Sequence, residues 1–352
     1  MGEGVDRLSY RPVVPDTPPT VGILANPDSG RDVRRLIANA ATSTVTDKIT
    51  IVRRVAVGAV QAGARRLLVL PDPHGICRNA LRTLHLDASG VCVDEIAVPR
   101  THDERESIAA AGVMRDEGAG AVVVLGGDGT NRAVATGWCG VPVVPLSTGT
   151  NNVFPVHVEP TVAGAAAALM AAGVVPLEAV GRRAKTVRVE VDREPAGLAL
   201  VDALLIADRF VGSRVLYDPA RMRTAVLAVA DPASVGVSPI GGLIDPCLPD
   251  DDAGIELVFG PDRSGRVVTA PMSPGWYVDV GVERCRRLAL GEAVEASGPA
   301  ILAFDGDRVR KIGDAEIVRF RVERDGPTVI DVDATLARAA RAGVFVTSSP
   351  KP

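Results

Sequence analysis

The sequence predicts an α/β protein whose N-terminal domain is built on a parallel sheet and whose second domain is β-rich and sandwich-like. Three observations carry that prediction. Short apolar runs alternate with helix-length segments through the first half of the chain, the signature of βαβ crossovers and a parallel sheet. In the second half the apolar residues recur with period two, which marks half-buried antiparallel strands. Hydrophobic residues make up 47% of the chain but aromatics only 3%, so aliphatic side chains must fill the core, as they do in strands buried on both faces.

Residues 1–20 hold four prolines and few hydrophobes and are read as an extended lead-in. A parallel-sheet α/β unit is expected over 21–158. Its first strand is Val21 to Ala25, stopped by Pro27 and Gly30, with a helix over Asp32 to Ala41. A second helix is expected over Lys48 to Ala62, a strand over Leu67 to Leu70, and another over Val91 to Val98. Glu104 to Glu117 reads as a helix, Ala121 to Leu125 as a strand, and Val141 to Leu146 as the last strand of this unit. The β-rich domain is placed at 159–333, with alternating strands such as Thr186–Val191 and Val318–Glu323. Residues 334–352 are expected to return to the first domain through a helix over Ala334 to Ala342.

With 352 residues there is room for two domains. The net charge is −4 with both signs interspersed. Nucleic acid is therefore not an expected partner, because phosphate-backbone affinity needs a concentrated basic face. The five cysteines are scattered and form no C-x-x-C pair, so a disulfide framework or zinc site is not expected and each is read as a small buried hydrophobe. No basic start followed by an apolar run opens the chain, and the apolar stretch Val162 to Val175 is too short to span a bilayer. A cytoplasmic protein without stable membrane insertion is expected.

Chemistry concentrates in Gly126-Gly127-Asp128-Gly129-Thr130, directly after an apolar strand. Its glycines let the backbone turn tightly against a ligand. Successive N–H groups there form an anion-binding nest, and the helix that follows points its positive end at the same place. A carboxylate beside phosphates makes sense if Asp128 deprotonates an acceptor hydroxyl or holds Mg²⁺ between phosphates. The alternative is a plain strand-to-helix turn with Asp128 as N-cap. Two other polar segments, Asn26-Pro27-Asp28-Ser29-Gly30 and Ser147-Thr148-Gly149-Thr150-Asn151-Asn152, also stand at strand ends, where α/β sheets bind ligands. Hydroxyls and amides there suit ribose or phosphate oxygens, although Asn151-Asn152 is also compatible with a turn.

Together and in order, these three segments resemble the N-terminal domain of NAD kinases and diacylglycerol-type lipid kinases. The likeness is to the ATP-NAD kinase branch that includes the acetoin-catabolism protein AcoX, on Ala25 through Leu36, Ile51 through Val55, and Ser147 through Pro155. It runs from about Val21 to the C-terminal region and is strongest before Pro155. The resemblance implies a Rossmann-like first domain, a β-rich second domain and a nucleotide site between them. It implies Asp128 as the catalytic carboxylate, also the Mg²⁺ contact through phosphates, and Gly126, Gly127, Gly129 and Thr130 as its phosphate-binding neighbours. Asn26, Ser29 and Gly30 match the first nucleotide-contacting loop; Thr148, Gly149, Asn151 and Asn152 match the third. Phe304-Asp305-Gly306-Asp307 resembles the lipid-kinase Asp-Gly-Glu segment near the acceptor, and a β-turn accounts for it equally well. Asp250-Asp251-Asp252 reads as a solvated loop rather than a metal cluster.

Two departures from NAD kinases concern the acceptor. Where those enzymes carry an Asn-Glu or Asn-Asp pair, this chain has Val201-Asp202-Ala203, leaving Asp202 for one ribose contact. The adenine-gripping segment is reduced to Ser238-Pro239-Ile240-Gly241-Gly242-Leu243, which keeps Gly241 but loses the tyrosine. The expected activity is ATP- and Mg²⁺-dependent transfer of a phosphoryl group to a hydroxyl, nominally NAD to NADP, by a homo-oligomer. The alternatives are a kinase for a lipid or other small-molecule hydroxyl, and a non-catalytic nucleotide-binding regulator of the AcoX type.

Overall fold

The computed structural model describes residues 18–29, 43–86, 90–148, 152–208, 218–260 and 265–346. The expected helix over 32–41 lies outside them, as do Gly30, Gly149 and Asn151. In chain order the first-domain elements are β1 (Thr20–Ala25), α1 (Val45–Gln61), β2 (Arg66–Val69), α2 (Ile76–Leu81), β3 (Cys92–Glu95), α3 (Glu104–Asp116), β4 (Ala121–Leu125), α4 (Asp128–Gly137), β5 (Pro142–Leu146) and α5 (Pro160–Ala171). The second domain is entered through β6 (Gly181–Arg183). It comprises β7 (Thr186–Val191), β8 (Glu194–Ala199), β9 (Asp202–Ile206), β10 (Met222–Leu227), α6 (Ser238–Gly242), β11 (Ala253–Phe259), β12 (Arg266–Ser273), β13 (Trp276–Ala289), β14 (Ala293–Ser297), β15 (Ala300–Phe304), β16 (Asp307–Ile312) and β17 (Ile317–Glu323). The chain closes with β18 (Thr328–Ile330) and α7 (Val332–Arg341).

The first sheet runs β3-β2-β1-β4-β5-β18-β6, parallel throughout except for its edge strand β6. β1 and β4 have no polar face: every residue from Thr20 to Ala25 and from Ala121 to Leu125 is buried. The reason is a layer of helices on each side, α1 and α5 on one face and α3 and α4 on the other. α1 begins at a full capping box, Thr44 with Asp47, which satisfies two of the free amides of its first turn.

Both faces of the second domain's seven-stranded sheet, β12-β13-β11-β10-β9-β15-β16, are covered along much of their length. The four-stranded sheet β14-β17-β7-β8 packs on one face, with Val187, Val189, Phe320 and Val322 meeting Leu205, Val226 and Leu302. The other face is closed by α6 and the segment leading to Cys247. The expected sandwich is present, antiparallel and two-layered.

The domain boundary differs from the sequence reading of 159–333 for the β-rich unit. α5, β6 and β18 all belong to the first domain, because α5 packs in its core and β18 pairs with β5 as the sixth strand of its sheet. α7 then packs against α5 through Ala339, Leu336 and Leu169. The apolar stretch after residue 162 is α5, a twelve-residue helix buried in this core. Among the described residues no helix is long and apolar enough to cross a membrane. Cys77 and Cys247 are buried as expected, but Cys92 and Cys139 are exposed and Cys285 lies between. Period-two reading could not place Cys92: it sits on the edge strand β3, where one flank has no neighbour.

Candidate nucleotide site

Three neighbouring strands, β1, β4 and β5, deliver the three polar segments side by side. Asn26 follows β1 and donates its backbone N–H to Leu125 O at 3.0 Å; Gly126 follows β4 and donates to Leu146 O at 3.2 Å. The side chains then cross-link the loops. Asn26 Nδ2 donates to Thr130 Oγ1 at 2.8 Å, and the hydroxyls of Ser29 and Thr148 lie 2.8 Å apart. Asn152 Nδ2 donates to Ser147 Oγ at 3.1 Å. Segments more than a hundred residues apart thus form one polar floor.

The glycines make that floor possible by leaving no room for side chains. A Cβ on Gly126 would lie 2.5 Å from Thr130 Cβ, one on Gly127 2.8 Å from Asn152 Oδ1, and one on Gly129 2.6 Å from Asp307 Oδ2. α4 starts at Asp128 with Gly127 as its N-cap, and no side chain caps it. Asp128 is therefore not the cap that the plain-turn reading required. Its carboxylate accepts the backbone N–H groups of Phe154 at 2.9 Å and Val153 at 3.2 Å, drawing the third segment against the helix. Asn131, one residue beyond Thr130, is buried and donates Nδ2 to Gly127 O, while its Oδ1 has no partner among the described residues.

The second domain contributes one turn. Asp305 adopts φ of 48° and its buried carboxylate accepts the N–H groups of Leu200, Val201 and Asp202 at 2.8–3.2 Å. Burial pushes this carboxyl above its usual range, and Arg132 with the three amides pulls it back. Asp305 thus does what the turn reading of its segment describes, and its oxygens face backbone rather than a ligand. Asp307, two residues on, has a side chain 58% exposed and stands beside Gly129 and Arg132. Asp202 starts β9, and its backbone is part of the Asp305 turn. Gly241 is elsewhere: a Cβ there would meet Leu227, Ala230 and Ile255 inside the second-domain core. Of the three adjacent aspartates, Asp251 accepts from Leu248 N within its own loop, while Asp250 and Asp252 pair with Arg182 and Arg324.

Two cations at this site were not anticipated from the sequence. Arg132 is buried and donates to Phe304 O at 2.6 Å, Glu104 Oε2 at 2.8 Å and Asp307 Oδ2 at 3.2 Å, so it joins α3, α4 and the second-domain turn. Burial lowers its proton affinity, but Asp305, Asp307 and Glu104 more than offset this and hold it firmly charged. The available signal was its position four residues after Asp128, on the same face of the helix. Lys48, almost fully buried, donates to Asn26 O, Pro27 O and Ser29 O from beneath the first loop. Its signal was a charge on the stripe Lys48, Val52, Val55, Ala59, which is otherwise apolar and buried.

With this geometry established, comparison with known proteins assigns each half of the chain. The ATP-NAD kinase N-terminal domain matches residues 21–174, and the acetoin catabolism protein X C-terminal domain matches residues 185–325. Acetoin catabolism protein X of Cupriavidus necator is 34% identical over 335 residues, covering 92% of this chain and 93% of that protein. The chain belongs to the acetoin catabolism protein X branch of the NAD kinase family. Membership agrees with the two-domain fold, a parallel-sheet unit followed by antiparallel sheets. It also accounts for the order of the three polar loops, since the ATP-NAD kinase match contains all of them.

Proposed function

We propose that this member of the acetoin catabolism protein X family transfers the γ-phosphoryl group of ATP to a hydroxyl of a nucleotide acceptor, nominally NAD. The observation that carries the reading is the convergence of Asn26–Ser29, Gly126–Thr130 and the described residues Ser147, Thr148 and Asn152 on one uncapped helix N-terminus, with the half-exposed carboxylate of Asp307 beside it. The residues suit such a ligand. The glycine cradle excludes side chains, the first-turn amides of α4 favour anions, and Asn131 Oδ1 offers a buried acceptor. Among the described residues no group of three or more His, Cys, Asp or Glu could hold a metal ion. Asp128 and Asp307 fit Mg²⁺ bound mainly through phosphates, with few protein ligands.

When bound, Mg²⁺-ATP supplies the phosphoryl group and neutralises its charge. The chain does the rest by positioning. The α4 amides and Gly126–Gly129 receive phosphate oxygens, while the hydroxyls of Thr130, Thr148 and Ser29 hydrogen-bond ribose or phosphate. Asp128 holds the third segment in place through Val153 and Phe154. Asp307, held by Arg132, accepts the proton of the attacking hydroxyl. A second reading, a nucleotide-binding regulator without turnover, is favoured by one observation: the Asp128 carboxylate is already engaged by two backbone amides.

The test is NADP formation from ATP, Mg²⁺ and NAD, with lipid and sugar-alcohol acceptors in parallel. The wild-type chain should form NADP. Asp307→Asn should lower kcat by about 10²-fold or more, the usual size of a lost general base, while ATP affinity stays within a few-fold. Asp128→Asn should lower kcat by loosening the third segment rather than by loss of a base. Phosphorylation of another acceptor would redirect the substrate assignment. ATP binding without turnover on any acceptor would leave the regulator as the account.

A further inference from the structure

Of the four lysines in this chain, two are buried almost completely, Lys48 and Lys185, whereas the other 35 cationic side chains are arginines. Lys48 sits in the first turns of α1, on the face turned to the sheet. Its Nζ lies 3.0 Å from Asn26 O, 2.6 Å from Pro27 O and 2.6 Å from Ser29 O. An ammonium has three donors in a compact tetrahedral head, and three converging carbonyls match it; the planar fork of arginine does not.

That tripod has a directional consequence for the loop. With the carbonyls of Asn26, Pro27 and Ser29 drawn down to the ammonium, the loop's side chains are presented upward, where Asn26 reaches Thr130 and Ser29 reaches Thr148. The ammonium also places a buried cation directly beneath a loop that borders the glycine cradle, and charge acts more strongly in such surroundings than in water.

We propose that Lys48 is a positioning residue for the phosphates of the bound nucleotide, shaping the first loop from below without touching the ligand. This rests on the nucleotide reading above. The experiment compares binding of two probes, ATP with Mg²⁺ and adenosine, to the wild-type chain and to Lys48→Met by titration calorimetry. If Lys48 serves the phosphates, Lys48→Met weakens ATP by about 10–100-fold, the size of one or two charge-assisted hydrogen bonds, and leaves adenosine within about 3-fold. Equal weakening of both probes reduces Lys48 to a general structural role and overturns the proposal, as does unchanged ATP affinity.

Should Lys48→Met not fold, the wild-type chain decides. With only four lysines, the Nζ resonances of ¹⁵N-lysine-labelled protein are separable by NMR. The buried Lys48 signal should move on addition of ATP and stay in place with adenosine; a signal indifferent to ATP overturns the inference. A wild-type chain that binds ATP while Lys48 is indifferent leaves the nucleotide reading standing. One that binds neither probe removes both.

Discussion

Asp305 and Asp307 show how far two residues of the same type can diverge when one backbone turn separates them. Asp305 is turned inward onto three amides and Asp307 outward beside Gly129. Replacing Asp305 with Asn would keep an Oδ1 for the three amides but set an NH₂ against the N–H of Leu200 and remove the charge that faces Arg132. The expected loss is about 1–3 kcal/mol, read as a lower urea midpoint at unchanged m-value. Asp307→Asn carries no such expectation, because its carboxylate is open to water and its bond to Arg132 is shared with Glu104 and Phe304 O. A stability loss in Asp307→Asn as large as that in Asp305→Asn would contradict this division between an inward, structural acid and an outward, solvent-exposed one. The sequence Asp-Gly-Asp does not tell the two apart; what separates them is that the second residue of the pair starts an exposed edge strand, β16.

Helix pairs in the first domain are joined through glycine. Gly58 of α1 and Gly164 of α5 each bring a Cα against the partner backbone, so that an added Cβ would overlap the carbonyl oxygens of Thr161 and Val55 respectively. Gly137 of α4 sits the same way on Ile108 of α3. By helix propensity alone, Gly58→Ala should stabilise α1 by about 1 kcal/mol. The contact reverses the sign, because a backbone carbonyl cannot swing aside as a side chain can. We expect Gly58→Ala to destabilise by about 1–3 kcal/mol, as overpacked cores do, and Gly164→Ala likewise. A raised Tm in either variant would show that the helices can separate without loss. Because α4 carries Asp128, Gly137→Ala is expected to disturb the site as well as the fold. The helices themselves were legible from spacing and caps, and α1 and α3 fall within a few residues of their expected limits. Which glycines were packing contacts was not, since a mid-helix glycine looks the same whether it faces solvent or a second backbone.

Across the whole molecule, surface carboxylates set the acid limb of stability. Hydrogen bonds from Arg66, Arg78 and Arg287 hold Asp94, Glu95 and Asp245 below their ordinary values of 3.8 and 4.5. Their folded values lie below their unfolded ones, so the stabilisation is present above about pH 4–5 and is lost as pH falls through the folded values. Each pair is exposed and therefore worth little; the sum should appear as a urea midpoint that is level near neutrality and declines below about pH 5. Asp305 has the opposite sign, since burial raises its carboxyl: its contribution is lost as pH rises through the folded value. Asp305→Asn should therefore remove a component that favours acid, which a midpoint-against-pH series on both proteins would reveal as a steeper fall at low pH.

The division between what the chain's order determines and what its folding decides follows from the range of the interactions. Strands, helices and polar turns are local, so apolar periodicity, caps and glycines were enough to determine a parallel α/β domain, a β-rich partner and three loops that meet at the carboxyl ends of β1, β4 and β5. Three things depended on residues far apart in sequence. β18 returns to complete the first sheet beside β5, which moves the domain boundary. Arg132 binds Phe304 O and Asp307 across 172 and 175 residues, which fixes the acidic turn over the helix that begins at Asp128. Lys48 rises beneath the first loop from a neighbouring helix. No spacing rule encodes such meetings: a buried cation is tolerated only where several acceptors converge on it, and that convergence exists only once the chain has folded.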